Sequence, residues 1–285
     1  MEIRRISVLG AGTMGHGIAQ VAAQAGYDTR LFDVEERFVA AGLERIAANL
    51  DKGVARGKVS EADRGATMDR LEGTADLAIA AGADLIIEAV PENLVIKRGL
   101  FGRLEAMADP ATIFASNTSS LSIAAIAAGT ARPERVLGMH FFNPVHIMQL
   151  LELVLHEGTD DDVLATARAV GERMGKTSIV VRDTPGFATS RLGVVLGLEA
   201  MRMLEDGVAS AADIDTAMEL GYRHPMGPLR LTDLVGLDIR LGIAEYLHEQ
   251  LGSEAFRPPE LLRRMVAEGK LGKKSGEGFY DWSGD

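Results

Sequence analysis

The sequence predicts an α/β fold, with a doubly wound, mostly parallel sheet over residues 1–182 followed by an all-helical domain over residues 183–285. Three observations carry this. Short β-branched runs alternate with helical patterns through roughly the first 180 residues, as in strands joined by crossover helices. A glycine-rich turn, Gly10-Ala11-Gly12-Thr13-Met14-Gly15, follows the first such run and opens the first helix. After Arg182 the segment Asp183-Thr184-Pro185-Gly186 punctuates the chain, and the pattern is then helical, with no convincing strand until Phe279-Tyr280.

Ile6-Ser7-Val8-Leu9 reads as a buried strand. Met14, Ile18, Val21, Ala22 and Ala25 then recur on one helical face, which Gly26 ends. Thr29 to Phe32 is the second strand, and a helix with a charged face runs from Glu35 to about Arg56. Asp84 to Ile87, Thr112 to Phe114 and Val136 to Met139 are further core strands. Gln149 to Val154 and Ser178 to Val181 are two more, separated by a helix from about Asp161 to Met174. Phe187 to Leu204 is apolar around most of its circumference, which predicts a helix buried in a domain core or a subunit contact. The helical domain carries more apolar surface than about 100 residues can bury, so a homodimer through it is expected.

Composition narrows the function classes. A formal charge of −11 disfavours nucleic acid or an anionic membrane as partner. The absence of cysteine excludes disulfides, thiolate–metal sites and a cysteine nucleophile. The apolar run Ile6 to Leu9 is too short for a signal-peptide core. The longest apolar stretch, Ala75 to Val90, is broken by Asp76, Asp84 and Glu88, so no membrane span is expected. A cytoplasmic protein is the expectation.

In the Gly10-x-Gly12-x-x-Gly15 turn, the first glycine permits a tight turn, the second a close backbone approach to a pyrophosphate, and the third close packing of helix on strand. The helix N-terminus then presents N–H groups and a positive dipole end to phosphate, which makes this a Rossmann-type dinucleotide site. Asp33 ends the second strand 23 residues after Gly10, where an acidic residue accepts hydrogen bonds from an adenosine ribose. With Glu35 and Glu36 it would repel a 2′-phosphate, so NAD is expected over NADP; Arg37 is the one neighbour arguing otherwise. The competing reading of Asp33 is a helix cap.

A proton-transfer pair is the second signal. His140 lies in Gly138-Met139-His140-Phe141-Phe142-Asn143-Pro144, and Glu152 follows one strand later. An imidazole exchanges protons near neutral pH, and a carboxylate fixes its tautomer and stabilises its charged form. Beside a hydride-carrier site, this pair reads as an alcohol–ketone oxidoreductase. The alternatives are a structural core histidine and a glutamate exposed on an edge strand.

These motifs together resemble the 3-hydroxyacyl-CoA dehydrogenases, closest to the short bacterial 3-hydroxybutyryl-CoA dehydrogenases. Besides the glycine turn, the resemblance rests on Glu92-Asn93-Leu94, Ser116 to Leu121, Gly138 to Val145 and Asp183 to Phe187. It continues in Pro225-Met226-Gly227-Pro228 and in Gly272 through Tyr280. It implies NAD-dependent, reversible oxidation of (S)-3-hydroxyacyl-CoA to 3-oxoacyl-CoA, with short chains preferred, His140 as base and Glu152 as its partner.

Further roles follow from the same resemblance. Gly10, Gly12, Thr13, Met14, Gly15, Asp33, Glu92, Lys97 and Lys274 match cofactor-contacting positions, surface solvation being the rival for both lysines. Ser119 and Asn143 match positions touching the substrate oxygen and the nicotinamide end of the cofactor, against a local turn role for each. Lys52 and Arg56, one helical turn apart with Lys58 just beyond, match CoA-contacting basic positions, against a solvated helix face. Ser190 departs from the family, which often has asparagine there near the substrate. Other readings are a related dehydrogenase of a free hydroxy or sugar acid, one of a dicarboxylic or aromatic-pathway 3-hydroxyacyl-CoA, and, last, a non-catalytic NAD-binding protein.

Overall fold

The computed structural model describes residues 1–284. The chain divides into two compact units, Met1–Asp183 and Thr184–Asp285. Asp183 belongs with the first, one residue beyond the sequence-based boundary, because its carboxylate accepts hydrogen bonds from the Ser122 hydroxyl and the Ala124 N–H, both at 2.8 Å.

The first unit is built on an eight-stranded sheet with the spatial order β3-β2-β1-β4-β5-β6-β7-β8. β1 (Arg5–Leu9), β4 (Leu85–Glu88) and β5 (Ile113–Ser116) form its centre, and their residues are almost all buried. This is why they read as continuous apolar runs: a parallel sheet covered on both faces needs apolar side chains on both. β2 (Asp28–Phe32) pairs with β1 and with β3 (Leu71–Thr74). Helices α1 (Thr13–Gln24) and α2 (Glu36–Ala55) cross between β1 and β3, and α1 packs its Ile18, Ala19 and Ala22 into the sheet core.

Four helices and β3 escaped the sequence analysis. α3 (Glu61–Met68) and α4 (Leu77–Ala81) start at Ser60 and Asp76, each of which accepts a backbone N–H in the first turn. β3, Leu-Glu-Gly-Thr, is too short and polar to show a period. α5 (Leu94–Glu105) is capped by Asn93, and α6 (Ile123–Ala127) by Ser122.

The sheet departs from parallel at one place. β6 (Val136–Phe141) runs parallel to β5, but β7 (Leu150–Leu155) is antiparallel to β6. The connection between Phe141 and Leu150 is too short for a crossover helix, so the chain can only fold back on itself. α7 (Asp161–Arg173) then carries the chain to β8 (Thr177–Arg182), parallel to β7.

The second unit is helical: α8 (Thr189–Glu205), α9 (Ala211–Gly221), α10 (Pro228–Val235), α11 (Leu237–Leu251) and α12 (Glu260–Ala267) pack around Val194, Leu198, Met201, Leu229, Leu237, Leu247 and Leu262. Two expectations are corrected here. α8 begins at Thr189, after Phe187 with its positive φ of 47°, and not at Phe187; within the single chain Leu192 is 68% exposed. Phe279-Tyr280 is no strand, because Asp233 takes both of their N–H groups, leaving isolated bridges from Glu277 to Gly272 and Asp281. Among the described residues no helix is long and apolar enough to cross a membrane.

Candidate active site

The C-terminal ends of β1, β4, β5 and β6 lie side by side, with Leu9 opposite Glu88, Glu88 opposite Ser116 and Ser116 opposite Gly138. In open parallel sheets ligands bind at this edge.

The glycine turn leaves β1 there. Gly10 adopts φ +96°, and a Cβ on it would come 2.7 Å from the Ala89 carbonyl oxygen. A Cβ on Gly15 would sit 1.6 Å from the Gly10 carbonyl oxygen, so helix and turn can close only on hydrogen. Gly12 is different: nothing lies within 4 Å of its would-be Cβ, and it forms the N-terminal boundary of α1 with no side-chain cap and no acidic residue in the first turn. The protein does not itself require glycine at position 12. The open space in front of bare N–H groups at Thr13 and Met14 fits a pyrophosphate pressed against the backbone.

Asp33 bonds Ala11 N–H at 2.8 Å through one carboxylate oxygen and Val34 N–H at 2.7 Å through the other. It therefore ties the end of β2 to the glycine turn. It caps no helix: α2 begins after Glu35, without a side-chain cap. Arg37, the cation that argued for a 2′-phosphate, is paired with Glu35 at 2.9 Å.

Four residues past Asp84, Glu88 ends β4 completely buried. It accepts from Lys97 Nζ at 2.6 Å, Ser116 Oγ at 2.7 Å and Val90 N–H at 2.8 Å. Burial pushes its carboxyl above the ordinary carboxylate range, and these three donors pull it only part of the way back. Lys97 also pairs with Glu92 at 3.1 Å and donates to the Val90 carbonyl. It is 1% exposed, so surface solvation is not its state. Burial pushes Glu92 upward too, but Lys97, the Thr118 hydroxyl and the Ser119 N–H hold it below the usual value. Glu92 thus fixes the Ser119 backbone at 3.1 Å, while the local turn hydrogen bonds go to Thr118, whose hydroxyl accepts from Ser120 and Leu121 N–H.

His140 and Glu152 are direct cross-strand partners in the β6–β7 ladder. Nδ1 and Oε2 are 2.7 Å apart; the imidazole is 7% exposed and the carboxylate fully buried. β7 lies between β6 and β8, so Glu152 is not on an edge strand. An acceptor-only carboxylate at Nδ1 places the ring proton there and the lone pair on Nε2. The Phe142 ring packs against the imidazole at 4.4 Å between centroids.

The connection after β6 is anchored from both sides. Val145 packs on α1 where a side chain on Gly17 would collide with it, 2.9 Å from its Cβ. The buried Lys176 ammonium donates to the carbonyls of Val145 and Met148. Asn143, exposed and followed by a cis peptide bond to Pro144, is carried on this connection.

Glu88, Asn117, Thr118 and Lys176 were not singled out in the sequence. Asn117 receives the Phe141 N–H at 2.8 Å, steadying the strand end that bears His140. Glu88 had a usable signal: like Asp33, it is the acid closing an apolar strand. Other predicted residues stand apart from these clusters. Lys52 and Arg56 are exposed at the C-terminal end of α2. Ser190 lies in the first turn of α8, half-buried, and Lys274 pairs with Asp238 of α11 at 2.5 Å; both belong to the helical unit. No group of three or more metal-ligating side chains is present among the described residues.

Comparison with known proteins now decides the family. The NAD-binding domain of 3-hydroxyacyl-CoA dehydrogenase matches residues 5–184, and that family's C-terminal domain matches residues 186–282. The chain belongs to the 3-hydroxyacyl-CoA dehydrogenase family. A probable 3-hydroxybutyryl-CoA dehydrogenase of Bacillus subtilis is 46% identical over 99% of the chain and 98% of its own length. The 3-hydroxybutyryl-CoA dehydrogenase of Mycobacterium tuberculosis is 44% identical over 98% of the chain and 99% of its length. The crystal structure of (S)-3-hydroxybutyryl-CoA dehydrogenase from Ralstonia eutropha superposes with a TM-score of 0.95 at 39% identity, covering 99% of each chain. This family member is an NAD-dependent oxidoreductase.

Proposed function

We propose that this 3-hydroxyacyl-CoA dehydrogenase oxidises (S)-3-hydroxyacyl-CoA esters to 3-oxoacyl-CoA reversibly, with short chains such as 3-hydroxybutyryl preferred. The observation that carries the reading is the buried His140–Glu152 pair at the sheet edge that also holds the glycine turn. NAD, when bound, supplies the nicotinamide carbon that accepts the hydride from C3.

The residues of the chain do the rest. Gly12 and the first N–H groups of α1 hold the pyrophosphate, and Asp33 the adenosine ribose. His140 takes the 3-hydroxyl proton on Nε2 as the C3–H bond breaks and the C3–O double bond forms. Glu152 stabilises the imidazolium so produced, which in a dry site needs a countercharge. In the reverse direction the same nitrogen returns the proton to the 3-oxo oxygen. Ser119, with its backbone fixed by Glu92, and Asn143 orient that oxygen without adding charge. NADH formation with 3-hydroxybutyryl-CoA, and none with free 3-hydroxybutyrate, is the test; turnover of the free acid at a comparable rate would favour a hydroxy-acid dehydrogenase.

Lys52 and Arg56 receive the phosphates of CoA in this otherwise acidic protein. Replacing both by alanine raises KM for CoA esters about tenfold, the loss of one or two charge-assisted contacts. KM for NAD stays nearly unchanged; equal effects on both constants would remove the assignment. At position 190, serine holds a bridging water or leaves room for another acyl substituent. S190N should change the ranking of acyl chains, and identical kinetics on every chain would make the position idle.

A second copy of this chain covers the exposed Leu192, Leu231, Leu234 and Ile239 of the helical unit, giving a cytoplasmic homodimer. Light scattering at micromolar concentration should report twice the chain mass, and an L192E substitution should halve it.

A further inference from the structure

A groove of about 370 Å3 opens in the first unit between the C-terminal turn of α1, the connection from β6 to β7 and the turn between α7 and β8. Its polar lining is Gln24, His146, Gln149, Arg173 and Lys176, and no carboxylate belongs to it. Such a groove runs against the formal charge of −11 that the whole chain carries. It lies at the opposite end of α1 from the glycine turn, so it is no part of the dinucleotide site.

Lys176 is 8% exposed, and no acid pairs with it among the described residues. Two of the three N–H groups of its ammonium go to carbonyls, those of Val145 and, at 2.8 Å, Met148. Carbonyl dipoles solvate an ammonium but leave its charge uncancelled, which is costly in a buried position. Arg173 also serves carbonyls: Nε donates to Ala25 at 2.8 Å and Nη2 to Gly26 at 3.2 Å. Its guanidinium lies 4.2 Å from the centroid of the Tyr27 ring. These bonds cover the negative end of α1, and no carboxylate comes within ion-pair distance of Arg173 among the described residues.

Burial lowers the pKa of the Lys176 ammonium. Burial, together with the nearby His16 and Lys176, also lowers that of the His146 imidazole. A carboxylate in the groove would have raised both. Three groups able to carry positive charge thus border a space that no acid of the fold enters.

We propose that this groove is a phosphate-binding site, taking free phosphate or the phosphate group of a small phosphomonoester. A tetrahedral anion offers oxygens in several directions at once, to an ammonium, a guanidinium and an imidazole, whereas a carboxylate keeps its two oxygens in one plane. The volume exceeds what the bare ion fills, which leaves room for a small organic portion beside Val21 and Met174. Lys176 also holds the connection that carries Asn143, so the occupant shares an anchor with that connection. The site is independent of the acyl-CoA reading, and its test stands whichever substrate the enzyme takes.

The test is thermal unfolding of the full chain with NAD saturating, so that the glycine turn is filled. The additions are inorganic phosphate, glycerol 3-phosphate, and sodium chloride at equal ionic strength. Phosphate at about ten times its dissociation constant should raise the melting temperature by roughly 3 to 6 °C over chloride. R173Q and H146Q should each remove most of that rise; each variant is compared with its own chloride baseline, so a change in intrinsic stability cancels. Replacing Lys52 and Arg56 by alanine should leave the rise in place. In NMR spectra the His146 ring signals, identified by their loss in H146Q, should move as phosphate is added. No rise over chloride, or an equal rise in R173Q and H146Q, overturns the proposal. So does a rise that is lost without Lys52 and Arg56 but kept in R173Q, which assigns the anion to that basic patch. A larger rise with glycerol 3-phosphate than with phosphate names a monoester as the occupant, and the reverse names the free ion.

Discussion

His140 and Glu152 stand twelve residues apart in sequence and face each other across the one antiparallel pairing of the sheet, with Nδ1 2.7 Å from Oε2. The fold-back after β6 creates this meeting. Had the chain crossed over to a parallel neighbour, the carboxylate would have come from elsewhere. The ladder holds the two backbones in register, so both side chains start from directly opposed positions.

Substituting His140 with alanine should lower kcat/KM by roughly 100- to 10,000-fold, the usual worth of a positioned acid–base group. E152Q keeps the shape but cannot stabilise the imidazolium, so a loss within the same range is expected with KM for NAD nearly constant. Steady-state kinetics check both, and an E152Q enzyme as fast as the wild type would detach the pair from catalysis.

Lys97 and Glu88 form an ion pair whose side chains are 1% and 0% exposed. K97M leaves Glu88 buried without its cation and should destabilise the protein by about 3–5 kcal/mol in chemical denaturation. Adding E88Q to K97M should recover much of that loss, since an amide can keep the Ser116 and Val90 contacts without a charge. No recovery would mean that packing around the Lys97 stem, and not its charge, matters.

Asp33 joins the β2 end to the glycine turn through Ala11 N–H. D33A should raise KM for NAD by about 10- to 100-fold through the lost contacts of a charged acceptor. KM for the CoA ester should change little, and the ratio of NADP to NAD use should rise because the repulsion is gone. A cofactor titration followed by NADH fluorescence measures both.

Asp238 supplies a pH prediction. Partial burial raises its carboxyl pKa, but the Lys274 ammonium and two backbone N–H groups outweigh this and hold it below 3.8. A carboxyl whose folded pKa is depressed adds stability above its ordinary value, and that stability disappears as pH falls through the folded value. The pair is about two-fifths exposed, so K274M should cost only about 0.2–1 kcal/mol at pH 7. The difference in melting temperature between K274M and wild type should shrink as the pH drops below the carboxylate range. A larger effect of K274M on KM for NAD than on melting would instead favour a cofactor role.

Much of this was readable in the chain. β1, β4 and β5 announce themselves because both sheet faces are covered and most of their side chains are apolar, Glu88 and Ser116 standing at the strand ends. Gly10 and Gly15 are legible because the backbone there tolerates nothing larger. β3 was not, since four residues at a sheet margin show no period. The start of α8 was misplaced because Phe187 looks like a helix residue and takes a positive φ.

By itself the sequence determined the alternation of strands and helices, the dinucleotide turn with its acid, and the residue types of a proton-transfer pair. These are local properties: hydrophobic period, steric limits at glycine, and short spacing along the chain. Tertiary structure alone decided that Glu88 and Lys97 would be sealed together behind Glu92, and that Lys176 would hold the connection after His140. Burial and partnership depend on what the rest of the chain brings alongside, and no window of sequence contains that.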